Sequence, residues 1–204
     1  MASSCPPRTR RSLCHGREVT DPAVTSGITL PNGRQVRIRM LRRGELDTVR
    51  EFCARLSART RYLRFLSPIP VVPESLLHML ADVDDPRRLT LIAELDDAAG
   101  GNLVALGNMA AVDDDQAEFG LVVADAWQRQ GIGVALAARL LHAADLRGFR
   151  RFVVHGLWDN PATRAVLSHT ADVVSATMHS GESEITFVRR GSEVPSIARR
   201  EPAV

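Results

Sequence analysis

The sequence predicts one domain of the mixed α/β (α+β) class, with a mostly antiparallel central sheet and helices on both of its faces. Two observations support this prediction. Helical and strand patterns follow each other in mixed order: helices, then a run of strands, then strands and helices in alternation. The chain of 204 residues is also 45% hydrophobic, which is enough to bury a core of ordinary domain size.

The N-terminal part is predicted to form a hairpin and three helices. The hairpin turns at Asn32-Gly33, a pair that supplies the positive φ angles of a tight turn. Apolar residues at helical spacing predict the first two helices, and Pro73 in a first turn predicts the third. In chain order, the predicted elements are strands 28–30 and 35–40 and helices 45–56, 59–66 and 73–81.

The C-terminal part is predicted to contain a three-stranded meander and then alternating strands and helices. Turn-rich linkers separate the three strands, so we expect these neighbours to pair in antiparallel fashion. A long helix is predicted to end at Gly148, and Pro161 after the cap Asn160 predicts a short one. The predicted elements are strands 89–95, 103–111, 117–123, 151–157, 173–178 and 184–189, and helices 131–147 and 161–169.

The domain is expected to span residues 27–190, between two tails. Residues 1–26 carry Pro, Ser and Arg without periodicity, which predicts a disordered N-terminal tail. Residues 191–204 are predicted to form a flexible C-terminal tail. Since the N-terminus lacks the apolar stretch of a secretory signal, we expect the protein to be cytoplasmic.

Composition excludes several classes of partner. The net charge is +2 and no long basic run exists, which argues against nucleic acid as a partner. No stretch approaches the roughly 20 apolar residues of a membrane span. Three cysteines without a CxxC pair predict neither a disulfide framework nor a zinc site, and we expect no metal. All 26 basic residues are arginine, so the protein has no lysine side chain of its own to modify.

The segment 128–133 joins a predicted strand to a predicted helix and reads Gln-Arg-Gln-Gly-Ile-Gly. The first N–H groups of a helix lack internal partners, and the helix dipole adds positive charge there. Glycines also let an anion such as a diphosphate approach the backbone closely. The spacing is shorter than the Rossmann fingerprint and lacks the Walker lysine. It predicts an anion site, although two glycines at a helix start also occur for structural reasons alone.

Three segments resemble the GNAT superfamily of acetyl-CoA-dependent N-acetyltransferases. The family's central motif resembles residues 118–148, EFGLVVADAWQRQGIGVALAARLLHAADLRG, and its Asn-containing turn is similar to residues 158–162, WDNPA. Residues 56–68, LSARTRYLRFLSP, resemble a helix of one branch, which holds the catalytic domain of bacterial protein lysine acetyltransferases. The resemblance covers about residues 28–189, nearly the whole of the expected domain.

The resemblance implies that acetyl-CoA binds in a V-shaped gap where two strands part. The backbone of one strand would bond the pantetheine arm, the loop amides would hold the diphosphate, and an Asn would lie near the cysteamine end. In this sequence these residues are Leu121, Val122 and Val123; Gln128, Arg129, Gln130, Gly131, Ile132 and Gly133; and Asn160. The Arg129 side chain is either a further phosphate ligand or a solvated surface residue.

Glu118 is the candidate general base, because a protonated amine cannot attack a thioester. The branch also has a glutamate at this place, although an exposed Glu on an edge strand is the simpler interpretation. One departure concerns the tyrosine that many members place after the Asn. Here the single tyrosine is Tyr62, and Ser168 or His169 lies near that place instead. Without a dedicated acid, the thiolate can leave and be protonated by water.

These observations leave three functions open. The leading hypothesis is an N-acetyltransferase that moves an acetyl group from acetyl-CoA to an amine by direct attack, with a protein lysine as one acceptor. The second takes a small amine or amino acid as acceptor. The third is a non-catalytic domain that binds acyl-CoA and regulates a partner. The sequence allows a monomer or a homodimer.

Overall fold

The computed structural model describes residues 24–96, 101–157, 160–179 and 181–192. The strands are β1 (Ser26–Thr29), β2 (Gln35–Met40), β3 (Arg88–Leu95), β4 (Leu103–Ala111), β5 (Gln116–Val123), β6 (Arg151–Leu157), β7 (Ala171–His179) and β8 (Glu182–Arg189). The α-helices are α1 (Leu46–Arg55), α2 (Ala58–Phe65), α3 (Glu74–Ala81), α4 (Ile132–Leu146) and α5 (Pro161–Thr170). Most of both predicted tails, together with Trp158 and Asp159, lies outside the described residues.

The strands form one sheet in the order β1-β2-β3-β4-β5-β6-β8-β7. Every neighbouring pair is antiparallel except β5 and β6, which run parallel. The predicted hairpin is β1–β2, with Gly33 at a φ of 81° in its turn, and the predicted meander is β3–β4–β5. The mixed α/β class with a mostly antiparallel sheet is therefore confirmed.

The sheet buries a hydrophobic core on each face. Under α4 and α5 lies the larger core, in which Leu136 and Leu140 of α4 are fully buried. The smaller core lies under α1 and α3, where Phe52 packs among residues such as Val122 of the sheet. Cys53 belongs to this second core, and burial raises the pKa of its thiol to about 11. A buried thiol that stays protonated is chemically inert.

The parallel pair β5–β6 is short, and this opens the sheet. The two strands pair only from Gln116 with Arg151 to Glu118 with Val153. Beyond Glu118, β5 stays paired to β4, while β6 stays paired to β8. The two strands therefore part between Glu118 and their C-terminal ends, which is the V-shaped gap that the sequence resemblance implies.

The helix boundaries depend on their caps. Pro73 is the residue before α3 rather than a residue of its first turn. At this position the helix makes no hydrogen bond that requires an N–H group, so proline costs no bond. Gly148 has a φ of 98° after α4, as expected of a glycine that ends a helix. Asn160 caps α5, since its side chain accepts a hydrogen bond from the Ala162 N–H at 3.1 Å.

A buried ion cluster joins β2, β3 and the start of α1. The Arg39 guanidinium donates to both carboxylate oxygens of Glu94 and to both of Glu45, at 2.8–2.9 Å. Arg37, which is half exposed, also bonds Glu94. Burial alone would raise the pKa of Glu45 and of Glu94, but the hydrogen bonds and charge of Arg39 outweigh it and lower both.

No helix in the described ranges is long and apolar enough to span a membrane. No group of three or more His, Cys, Asp or Glu side chains among these residues could hold a metal ion.

Candidate functional site

The loop after β5 makes a compact connection into α4. One 3₁₀ turn, Asp125–Trp127, follows β5, and the backbone is extended at Gln128. Arg129 and Gly131 both have positive φ angles, of 60° and 84°. This left-handed region suits glycine, so Gly131 allows the chain to turn directly into α4.

The amides at the start of α4 are open. In the described part of the chain, the backbone N–H groups of residues 129–134 donate to no protein acceptor. Gln128 differs, because its N–H bonds the Asp125 carbonyl at 3.4 Å. Unpaired N–H groups and the positive end of the helix dipole together favour an anion at this point. The open amides therefore lie where the Gly spacing predicts an anion site, and the site itself stays a prediction.

Asp125 fixes this loop to the start of α2. Its carboxylate accepts hydrogen bonds from the Ser57 N–H at 3.0 Å and from the Ser57 and Thr60 hydroxyls at 2.7 Å. Burial alone would raise the pKa of Asp125, but these hydrogen bonds lower it. The Gln128 Nε2 adds a second tie by donating to the Val123 carbonyl at 3.0 Å and to Thr60 Oγ1 at 3.3 Å. The loop is therefore anchored to both β5 and α2.

The edge of β5 that faces the gap carries peptide groups that bond no neighbouring strand beyond Glu118. The Ala124 N–H points away from the gap, since it donates to the Val104 carbonyl of β4. Peptide groups alternate in direction along an antiparallel strand, so those of Val122 also face β4, while those of Leu121 and Val123 face the gap. The predicted backbone contacts to a pantetheine arm therefore narrow to Leu121 and Val123.

Gly133 lies where β5, α4 and α5 meet. A Cβ at this position would lie 3.5–3.6 Å from the side chains of Leu121, Val123 and Val166, which is ordinary van der Waals contact. Packing inside the protein therefore does not require a glycine here. An approach by a ligand to the backbone would require one.

A polar surface lies where β5 and β6 begin to part, on the face covered by α1–α3. Glu118 is exposed there, and Gly120 follows two residues later on the same face. Gly120 pairs with Asn108 of β4, which places the Asn108 side chain beside Gly120 on this face. The Arg64 guanidinium of α2 lies flat on Gly120 and donates to Asn108 Oδ1. We call Arg64, Asn108, Glu118 and Gly120 the α2–β5 surface.

Other polar side chains near these elements differ in their contacts. Arg129 is exposed, so its side chain is free to move towards or away from a ligand at the loop. His169 is exposed in the last turn of α5, and its Nδ1 bonds the Ala165 carbonyl of the same helix at 2.7 Å. Arg61 bonds the carbonyls of Leu56 and Ile69, which makes it a brace for the chain around α2.

The family model described as "Acetyltransferase (GNAT) family" matches residues 56–169, more than half of the chain. The chain belongs to this family. The match includes α2, the open loop, the strand gap and Glu118, so the resemblance found in the sequence is confirmed.

Individual GNAT relatives agree with this assignment. Acetyltransferase PA5475 of Pseudomonas aeruginosa is 32% identical over 124 residues, which cover 60% of this chain and 67% of that protein. The GNAT domain of S. lividans PAT superposes with a TM-score of 0.71 at 23% identity, covering 81% of this chain and 97% of that one. Mycobacterium smegmatis RimJ, solved in complex with CoA-disulfide, gives a TM-score of 0.60 at 18% identity, covering 81% and 87%. The two solved structures share the fold.

The roles of Asp125, Gly120 and Asn108 in the candidate site could not be inferred from the sequence. Asp125 lies inside the central motif, but its partners Ser57 and Thr60 are more than sixty positions earlier. Gly120 and Asn108 matter because Arg64 lies on them, a contact that only the folded chain creates. The one available signal was the Ser-Ala-Arg-Thr start of α2, whose hydroxyls are typical of a helix cap.

Proposed function

We propose that this GNAT protein transfers an acetyl group from acetyl-CoA to an amine. One observation carries the proposal: the open amides of residues 129–134 lie beside a strand edge that leads to an exposed carboxylate, Glu118. The open amides suit a diphosphate, the strand edge suits an extended arm with amide groups, and the carboxylate suits proton transfer. Acetyl-CoA combines a diphosphate, such an arm and a reactive thioester.

The residues present fit this co-substrate. The diphosphate would bind the amides from Arg129 to Gly133, while the pantetheine amides would bond the gap edge of Leu121 and Val123. Gly133 leaves the backbone open between these two contacts. Asn160 already caps α5 with its Oδ1, and its contact with the cysteamine end stays a prediction. Acetyl-CoA supplies the activated acetyl group, and the protein supplies position and proton transfer.

Glu118 is proposed as the general base. An amine acceptor is mostly protonated at neutral pH and must lose a proton before its nitrogen can attack a carbonyl carbon. Glu118 is the last β5 residue paired to β6, so its exposed side chain lies at the closed end of the gap. A carboxylate there can accept the proton directly or through one water molecule. The amine nitrogen then forms the new bond, and the CoA sulfur leaves.

A protein lysine is the first acceptor class that we propose. The support is the likeness of residues 56–68 to the helix found in bacterial protein lysine acetyltransferases. The structure gives this segment a defined place, since α2 packs against β5 and bonds the cofactor loop through Ser57 and Thr60. A small amine or amino acid is the alternative acceptor, and a regulatory acyl-CoA-binding domain is the alternative without chemistry.

Two measurements on the wild-type protein separate these functions. Calorimetric titration with acetyl-CoA tests binding, and CoA thiol release tests turnover with lysine peptides, polyamines and amino acids. We expect saturable binding and thiol release that depends on an amine. Binding without release across the whole panel would favour the regulatory domain, and no binding would contradict the proposal. The chain has no lysine, so acetyl-lysine found by mass spectrometry must come from the added acceptor.

A further inference from the structure

Arg64 holds its guanidinium in an unusual position for an arginine. The group lies on the backbone of β5 at Gly120, where an added Cβ would be only 2.4–2.7 Å from its atoms. The space for the guanidinium therefore exists because residue 120 has no side chain. Asn108 of β4 fixes the outer end by accepting a hydrogen bond from Nη2.

The charge of Arg64 is incompletely matched. Its Nε is shut off from solvent and makes no hydrogen bond in the described part of the chain, and Nη1 also donates to none of these residues. A guanidinium carries five N–H donors, so one bond to a neutral amide leaves most of them unused. Burial lowers the pKa of Arg64, and the negative charge of Glu118 opposes that effect. Among the described residues, no carboxylate oxygen lies within 4.0 Å of an Arg64 nitrogen, which is the limit for an ion pair.

Glu118 and Arg64 flank one space on the α2–β5 surface. Glu118 precedes Gly120 by two residues on the same face of β5, which is about 7 Å along an extended strand. One end of this space therefore accepts protons, and the other end offers unused cationic donors. A molecule with an amine at one end and an anion at the other matches this arrangement.

We propose that Arg64 determines acceptor specificity by binding a carboxylate that the acceptor carries within about 7 Å of its reactive amine. This rests on the proposed acetyl transfer. The planar guanidinium can donate two parallel hydrogen bonds to a carboxylate, which fixes the acceptor in orientation as well as in place. The amine then faces Glu118. The carboxylate belongs either to a free amino acid or to an acidic residue beside a lysine in a peptide.

The test compares acceptors that differ only in that carboxylate. One pair is a free amino acid and its α-amide, and the second is a lysine peptide with a neighbouring Glu or Gln. For each pair we measure kcat/KM by thiol release and take the ratio of the carboxylate to the neutral form. A charged hydrogen-bonded pair predicts a wild-type ratio of at least about tenfold in one of the two pairs. The pair that shows it identifies the source of the carboxylate.

Arg64→Met should reduce that ratio to about twofold or less, and Arg64→Lys should restore part of it because a charge without the planar fork remains. Arg59→Met is the matched control, since Arg59 is exposed on the same helix. A wild-type ratio near one in both pairs would overturn the proposal. So would an Arg64→Met variant that loses activity equally on both members of a pair, which is the pattern of a purely structural arginine.

Gly120→Ala provides a second route that keeps the arginine. Its Cβ would displace the guanidinium from β5, so we expect the same fall in the ratio with the total charge unchanged. An unchanged ratio in this variant, at an unchanged melting temperature, would contradict the proposal. Absence of thiol release with every acceptor would instead count against the acetyl transfer. In that case, calorimetry with CoA present would measure how the carboxylate and neutral acceptors bind to wild type and to Arg64→Met. A preference for the carboxylate form that Arg64→Met loses would support the role of Arg64, and equal binding of both forms to wild type would contradict it.

Discussion

Two arginines of this chain, the buried Arg39 and the half-buried Arg64, differ in how their charge is matched. Arg39 lies between two carboxylates, Glu45 and Glu94, and donates to all four of their oxygens. Arg64 lies on Gly120 and over the Phe65 ring, with one hydrogen bond to the neutral Asn108 and a buried Nε that has no hydrogen-bond partner among the described residues. The first arrangement is complete within the protein, whereas the second has donors to spare.

The difference separates a site that stabilises the fold from the one that we propose binds the acceptor. A buried charge with partners on all sides joins elements firmly, here β2, β3 and the start of α1. A half-buried guanidinium with unused donors contributes less to stability and is typical of a functional position. The loop at α4 follows the same logic, since its amides remain open while Asp125 and Gln128 anchor it from behind. Four substitutions or conditions test this contrast.

The largest expected effect is on the stability that the cluster of Arg39, Glu45 and Glu94 contributes. Arg39→Met would leave Glu94 and Glu45 without their shared partner, and removal of one member of such a buried group costs about 3 kcal/mol or more of unfolding free energy. Urea unfolding measures it. Arg37→Met is the matched control, because Arg37 also bonds Glu94 but is half exposed, and should cost at most about 1 kcal/mol. Equal effects of the two substitutions would remove the contrast.

The second effect concerns catalysis. Glu118→Gln should lower kcat by at least about 10²-fold, the usual consequence of losing a general base. Since Glu118 is exposed and lies outside the loop, acetyl-CoA affinity and melting temperature should not change. Glu51→Gln, an exposed change on α1, is the control. Steady-state thiol release together with calorimetry checks both statements, and full activity of Glu118→Gln would exclude Glu118 as the base.

The third effect concerns the hydrogen bonds that join the start of α2 to the loop between β5 and α4. Asp125→Ala removes three hydrogen bonds to a charged acceptor, from Ser57 and Thr60, and should cost about 2 kcal/mol of stability. The loop would also lose its fixed shape, so acetyl-CoA should bind several-fold more weakly. Thermal melts with and without acetyl-CoA measure both. Unchanged affinity in a destabilised variant would show that the loop keeps its shape without this tie.

The smallest effect at neutral pH is the dependence of the unfolding free energy on pH that the cluster of Arg39, Glu45 and Glu94 causes. The pKa values of Glu45 and Glu94 are lowered in the folded protein, so their contribution is present above their ordinary value of 4.5. It is lost as the pH falls through the lower folded values. Urea unfolding between pH 7 and pH 3 should therefore show a steeper acid decline in wild type than in Arg39→Met. Parallel declines would show that the cluster does not cause the acid sensitivity.

Much of the fold followed from local pattern. Periodicity and turn residues predicted the strands and α-helices of the described residues within a few positions, but not the 3₁₀ turn Asp125–Trp127. The hairpin glycine, the helix caps and the apolar spacing all act over short distances. The single parallel pair β5–β6 could not be read locally, because it joins strands separated by a whole helix. It entered only through the family resemblance that implied a gap.

The site was predictable where it is local and not where it is assembled. The open amides of 129–134 follow from a helix start, so the sequence could locate them. In the sequence, Arg64 is one of several arginines of the segment 56–68, which either line an acceptor groove or form a solvated basic face. Its distinction arises from Gly120 and Asn108, more than forty positions away, and no periodicity encodes that contact.

The central claim is that the amides at the start of α4 bind the diphosphate of acetyl-CoA. The most direct measurement is a titration of ¹⁵N-labelled protein with acetyl-CoA, followed by amide NMR. The account predicts that the N–H resonances of residues 129–134 shift most, together with those of Leu121 and Val123 at the gap edge. Saturable binding that leaves the resonances of 129–134 in place would contradict it.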